Sequence, residues 1–335
     1  MKCFWDERQR AHAPVSEFFN GALHPAAENV GRVDAVLNAI KNTETPVDRG
    51  REPLLRVHSA EYLELLEVAH REWLALGRAG EVFPYTFPIV GRRPLPLERI
   101  DARLGQHSFD TSTPIGPSTW NASYWGAQTA LSGLFSILDG SGAAFAFCRP
   151  PGHHAGADYF GGYSYLNNAA IAAEAARAQG KSRVAILDVD YHHGNGTQDI
   201  FYLRDDVIYA SIHADPKTDY PFFWGHADES GHEKGEGANL NIPLARGTDW
   251  GAYAPALTQA LDWIERQKAD LLIVSYGADT HEADPISHFK LKTGDYAPMA
   301  RRIASLGLPT LIVMEGGYAV EALGANVGEF LGGFA

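Results

Sequence analysis

Cysteine is almost absent: Cys3 and Cys148 are the only two in 335 residues, too few for a disulfide framework. Asp6 and Glu7 stand where an export signal needs an apolar core, so the expected location is a reducing cytoplasm. No apolar run approaches the roughly 18 residues of a membrane span, and the longest, such as Leu271-Leu272-Ile273-Val274, have the length of buried strands. Basic residues are scarce beside acidic ones, 28 against 41, and a net charge of −13 disfavours nucleic acid and favours cationic ligands. Acidity also serves solubility alone, so this bias is weak. No glycine-rich nucleotide loop follows a strand.

Hydrophobic residues make up 45% and charged residues 21%, enough to bury a large core. From residue 143 onward, apolar runs at 143–147, 184–187, 207–210, 271–275 and 311–314 alternate with helix-like segments at 167–179, 250–268 and 296–306. This βαβ pattern predicts a mostly parallel sheet with helices on its faces. The first 140 residues read as more helical, with apolar stripes at Val30, Val33, Leu37, Ile40 and at Tyr62, Leu65, Leu66, Ala69, Trp73. Residues 83–117, with Pro84, Pro88, Pro94, Pro96, Pro114 and Pro117, read as a long ordered loop rather than regular structure. No linker or repeat is visible, so residues 1–335 read as one domain.

Polar clusters close several of the predicted strands, where an open parallel sheet places its ligands. After 184–187 comes Asp188-Val189-Asp190-Tyr191-His192-His193-Gly194-Asn195. Asp190 and His192, two apart, can offer an oxygen and a nitrogen to one metal, and Asp279, beyond the strand at 271–275, is the natural third ligand. Two carboxylates and an imidazole leave a position open for water, the layout of a catalytic zinc site. Pro150-Pro151-Gly152-His153-His154 supplies two rigidly held imidazoles for acid–base work, with Asp188 and Asn195 placed to orient them. Glu315-Gly316-Gly317-Tyr318 ends the last strand and offers a phenol that could donate to a developing oxyanion.

These motifs resemble the histone deacetylase superfamily over nearly the whole chain. Cys148 to Gly156, Phe160-Gly161-Gly162-Tyr163 and Asp284-Pro285-Ile286-Ser287-His288-Phe289 are similar to its acetylpolyamine amidohydrolase branch. The resemblance implies the arginase–deacetylase α/β fold with an eight-stranded parallel sheet. It implies Zn²⁺ on Asp190, His192 and Asp279, with His154 as base and then acid. It further implies that His153 is an electrostatic helper paired with Asp188, that Tyr318 polarises the carbonyl, and that structural K⁺ binds around Asp188, Asp190, His192 and Ser211. Asn195 stands where some members carry Asp. Fe²⁺ could replace Zn²⁺ on so oxygen-rich a ligand set.

The implied reaction is removal of an acetyl group from an amine reached through a narrow tunnel. Tyr163 and the cluster Tyr220-Pro221-Phe222-Phe223-Trp224 are expected as aromatic wall or rim, Ile286 as a further substrate contact, and Glu17 as the partner of a distal ammonium. The resemblance also implies a homodimer, with residues 83–117 narrowing the entrance. Two alternatives stay open: an acetyl-lysine protein deacetylase with an open rim, and a catalytically inactive acyl-amine binding protein. A two-metal ureohydrolase of the same fold would need Asp and His ligands that the segment around Asp190 does not display.

Overall fold

The computed structural model describes residues 1–89 and 95–334. Its sheet strands are β1 (Lys2–Phe4), β4 (Ala143–Ala146), β5 (Val184–Asp188), β6 (Val207–Ala214), β7 (Asn239–Leu244), β8 (Leu271–Tyr276) and β9 (Thr310–Met314), while β2 (Ser16–Phe19) and β3 (Ala22–Pro25) form a separate antiparallel hairpin. The sheet runs in the order β1-β4-β9-β8-β5-β6-β7 and every neighbouring pair is parallel. Among the described residues the sheet therefore has seven strands, not eight.

Strands β5, β6, β8 and β9 are buried along their whole length, which explains why they are continuous apolar runs rather than alternating ones. Two apolar cores lie against the sheet. One gathers Leu131, Leu134, Ile171, Ile186, Ile273 and Leu311, and the other Leu187, Ile212, Leu257, Val274, Ile312 and Val327. Alternate residues of one strand feed opposite cores, as Ile186 and Leu187 do, because successive side chains leave a strand on opposite faces. The helices that cover the sheet include Thr119–Leu138, Asn168–Ala178, Trp250–Gln267 and Val320–Gly332.

Two regions differ from the expectation. The N-terminal part is not only helical, since it contributes an edge strand of three residues and the β2–β3 hairpin. Three residues are too short to show a period. Within 83–117, Ile100–Gln106 is an α-helix that buries Ile100 and Leu104; the prolines flank this helix rather than enter it. Residues 90–94 of that stretch, including Pro94, lie outside the described residues.

The order of the strands locates the site. From β5 the chain moves outward to β6 and β7, then returns to the other side of β5 as β8 and continues to β9. The carboxyl ends of β5 and β8 thus flank a topological switch point, where loops diverge and leave a crevice. Asp190 and His192 follow β5, and Asp279 follows β8.

Candidate metal centre and its cavity

Asp190, His192 and Asp279 converge so that one ligand atom from each lies within 4.8 Å of the others. Nδ1 of His192 is 2.9 Å from Oδ2 of Asp279 and 3.4 Å from Oδ1 of Asp190. Backbone amides hold the carboxylates in place: Gly316 N–H donates to Asp190 Oδ2 at 2.9 Å, and Tyr191 N–H donates to Asp279 Oδ1 at 2.9 Å. The room between them depends on missing side chains. A Cβ on Gly277 would fall 1.9 Å from Asp190 Oδ2, and one on Gly316 would fall 2.7 Å from Asp190 Oδ2 and 2.8 Å from Asp279 Oδ2.

Buried carboxylates this close need a cation. Burial, and next the charge of Asp190, push the pKa of Asp279 up to about 8. Burial works against a charged His192, but its hydrogen bonds to Asp190 and Asp279 prevail and raise it to about 10. One nitrogen and two carboxylates in a glycine-cleared cradle fit a divalent ion such as zinc.

The tandem histidines follow β4. Buried Glu315, at the end of β9, accepts from the amides of Gly152 at 2.7 Å and His153 at 3.1 Å, so a neighbouring strand end clamps their loop. Nδ1 of His153 is 3.0 Å from Asp188 Oδ2, and Nδ1 of His154 is 2.7 Å from Asn195 Oδ1. The two rings, 4.1 Å apart, are electrostatic opposites. Burial opposes charge on His153, yet Asp190 and Asp188 outweigh it and lift its pKa to about 10. Burial, then the charges of His153 and His192, hold His154 well below the ordinary imidazole range.

One cavity of about 540 Å³ takes its lining from His154, His192 and Tyr318, and also from Glu17, Tyr163, Tyr220, Phe222 and Ile286. His153 does not line it. Pro221, Phe223 and Trp224, expected with the aromatic wall, do not line it either: Phe223 is 81% exposed, and Trp224 packs behind the wall against Phe109. Phe222, which does line it, has a positive φ of 60°. Ser211 lies off the cavity, paired in register with Asp188.

Other lining residues are not singled out individually in the sequence, although the stretch 83–117 is expected at the entrance. Phe109, Asp110, Thr111 and Ser112 come from the proline-rich stretch, as does Phe87, while Phe18, Phe19 and Asn20 come from the hairpin. Asp110 ties the walls together, because its Oδ2 accepts from the Gly162 amide at 2.8 Å and the Tyr220 hydroxyl at 2.9 Å. Glu17 is 3% exposed, and among the described residues its Oε2 has no hydrogen-bond partner. Behind Tyr318, the fully buried Arg32 donates to the carbonyls of Glu315 at 2.5 Å and Gly317 at 2.8 Å and pairs with Glu28, which also holds Arg149. An Arg on an amphipathic helix reads as exposed, so only the fold reveals this anchor.

Among the described residues, no helix is long and apolar enough to cross a membrane. Comparison with known proteins agrees with the geometry. The chain is 50% identical to acetylpolyamine amidohydrolase 1 of Pseudomonas aeruginosa, with 100% of this chain and 99% of that protein covered. It is 43% identical to the acetylpolyamine amidohydrolase of Mycoplana ramosa, with both chains covered fully. The crystal structure of an acetylpolyamine aminohydrolase from Burkholderia pseudomallei superposes with a TM-score of 0.96 at 41% identity, covering 100% of this chain and 98% of that one. With the histone deacetylase domain matching residues 24–334 as well, the chain belongs to the histone deacetylase family.

Proposed function

We propose that the protein is a zinc-dependent amidohydrolase that removes acetyl groups from acetylated polyamines and related small cationic amines, working as one deacetylase domain. One observation carries this reading: a single cavity is lined by a metal ligand, an imidazole and a phenol, and also by two carboxylates, Glu17 and Asp110. A buried carboxylate oxygen without a partner is costly unless a ligand completes it, and an ammonium of the substrate would do so. The full-length relatives named acetylpolyamine amidohydrolases support the same substrate class.

A zinc ion on Asp190, His192 and Asp279 would supply Lewis-acid polarisation of the acetyl carbonyl and a more acidic water. His154 has its Nδ1 engaged by Asn195, which leaves Nε2 to take a proton from the attacking water. The same nitrogen then returns that proton to the leaving amine, which cannot depart as an anion. His153, paired with Asp188 at 3.0 Å, would act as an electrostatic helper and takes no part in the transfer. Tyr318 donates its hydroxyl to the carbonyl oxygen as negative charge accumulates; burial pushes its pKa well above the ordinary phenol value, so the proton stays in place.

Fe²⁺ would satisfy the same ligands. The reading includes structural potassium around Asp188, Asp190, His192 and Ser211, supported by the adjacency of Asp188 and Ser211 across β5 and β6. It includes a homodimer, supported by exposed apolar side chains on the segments that line the cavity, among them Phe18, Phe19, Tyr85 and Phe223. Cytoplasmic location fits the two free cysteines. The test is acetate release from N-acetylputrescine by the zinc-loaded chain; no release, or release that survives removal of the metal by a chelator, contradicts the reading.

A further inference from the structure

We propose that Tyr159 and Asp199 are positioning residues that fix the orientation of the Asn195 amide, and through it the tautomer of His154. The inference rests on the reading of His154 as the base. It starts from a difference between Asn and Asp as partners of an imidazole. A carboxylate accepts from either side and needs no orienting. An amide has one accepting and one donating end of nearly the same shape, so something must decide which end meets the ring.

The decision comes from the far side of Asn195. Its Nδ2 lies 3.3 Å from the Tyr159 hydroxyl, and that hydroxyl lies 2.6 Å from Oδ2 of Asp199. Asp199 as a carboxylate can only accept, so the phenolic proton is committed to it. The Tyr159 oxygen is then left as an acceptor, and Asn195 must turn its NH₂ group outward. Oδ1 consequently faces His154, where it accepts the Nδ1 proton at 2.7 Å. Nε2 keeps its lone pair. With the amide reversed, Nδ2 would donate to Nδ1, the ring proton would sit on Nε2, and no base would face the cavity.

The fold supports each link. Asn195 and Asp199 are four residues apart on the helix Asn195–Phe201, hence on one face. Trp224 Nε1–H donates to the same Asp199 oxygen at 3.2 Å and holds the carboxylate toward Tyr159. The Tyr159 ring packs edge-on against Phe109 at 5.6 Å. It fills the space left at Gly156, where a Cβ would come within 2.3 Å of the ring. Asn195 is fully buried, so water does not compete for its amide.

The experiment uses the zinc-loaded protein labelled with ¹⁵N-histidine. Long-range ¹⁵N–¹H correlation at pH 8 reads the His154 tautomer, with the signal assigned by its loss in His154→Gln. The native chain is expected to show the Nδ1–H form. Tyr159→Phe and, on the solvent-facing side, Asp199→Asn are expected to show a mixture with the Nε2–H form. Their kcat should fall about tenfold at unchanged KM, the lower end of what outer partners of a site contribute. The double variant should lose no more than the worse single one, because both act through one link. Retention of the Nδ1–H form in both variants overturns the proposal, whatever happens to turnover. A changed tautomer with unchanged turnover keeps the relay and instead removes His154 as the base.

Discussion

Nδ1 of His154 lies 2.7 Å from Oδ1 of the neutral Asn195. Its neighbour His153 meets a carboxylate at the equivalent atom; the charges of Asp190 and Asp188 lift the pKa of His153 against burial, while burial and the charges of His153 and His192 hold His154 down. Asn195→Asp should erase part of that difference. A new negative charge beside Nδ1 raises the His154 pKa. Because the base must be unprotonated, the acid limb of the kcat/KM profile moves to higher pH, and activity at pH 6 falls more than activity at pH 8. A profile that scales uniformly without moving would argue against His154 as the titrating base.

Tyr318→Phe removes the hydroxyl and keeps the ring that packs against Tyr163 at 5.5 Å. We expect kcat to fall by about 10²- to 10³-fold, as when one oxyanion donor is lost. Bound zinc, measured by elemental analysis, and KM should change little. Near-native turnover would move oxyanion stabilisation to another group.

The metal cradle should not tolerate one added methyl group. Gly277→Ala places Cβ against Asp190, and the contact is with a buried carboxylate that cannot swing away. Zinc raises the melting temperature of any chain that binds it only when folded. That rise should be present in the native protein and absent in Gly277→Ala and in Asp279→Ala. A full zinc response in either variant would place the ion elsewhere.

The buried neutral histidines should lower stability on mild acidification. Burial pushes the pKa values of His12, His58 and His213 down to about 4 from an ordinary 6.5. Nε2 of His58 accepts from the Asn167 amide at 3.0 Å, a bond that protonation of Nε2 would break. Between pH 6.5 and 4 these three side chains take up protons in the unfolded chain that they refuse in the folded one, so their contribution to stability falls as pH falls through that window. Urea midpoints from pH 7.5 to 4.5 should show this slope, and His58→Gln should lessen it. An unchanged slope would acquit His58.

The legible parts of this protein are those where a local pattern has one physical reading. The runs 184–187 and 271–275 are apolar at every position because both faces of β5 and β8 are covered, and the polar residues that interrupt them mark the strand ends. The ligand candidates were readable for the same reason. Strand β7 was not, because Asn239-Leu240-Asn241-Ile242-Pro243 is an edge strand whose asparagines bond to Gln198 and the 226–229 segment rather than to apolar core. Asp110 and Phe109 reach the cavity from a stretch without periodicity, and Tyr159 matters only because the fold brings it beside Asn195. Such contacts depend on three-dimensional proximity that spacing along the chain does not encode.

The most direct test of the central claim is kcat/KM of the zinc-loaded protein on N-acetylputrescine and N8-acetylspermidine beside an acetyl-lysine peptide. A cavity carrying Glu17 and Asp110 predicts that the small cationic amines win by about tenfold or more, roughly 1.4 kcal/mol in the transition state. A preference for the peptide would contradict that account and make the chain a protein deacetylase with an open entrance.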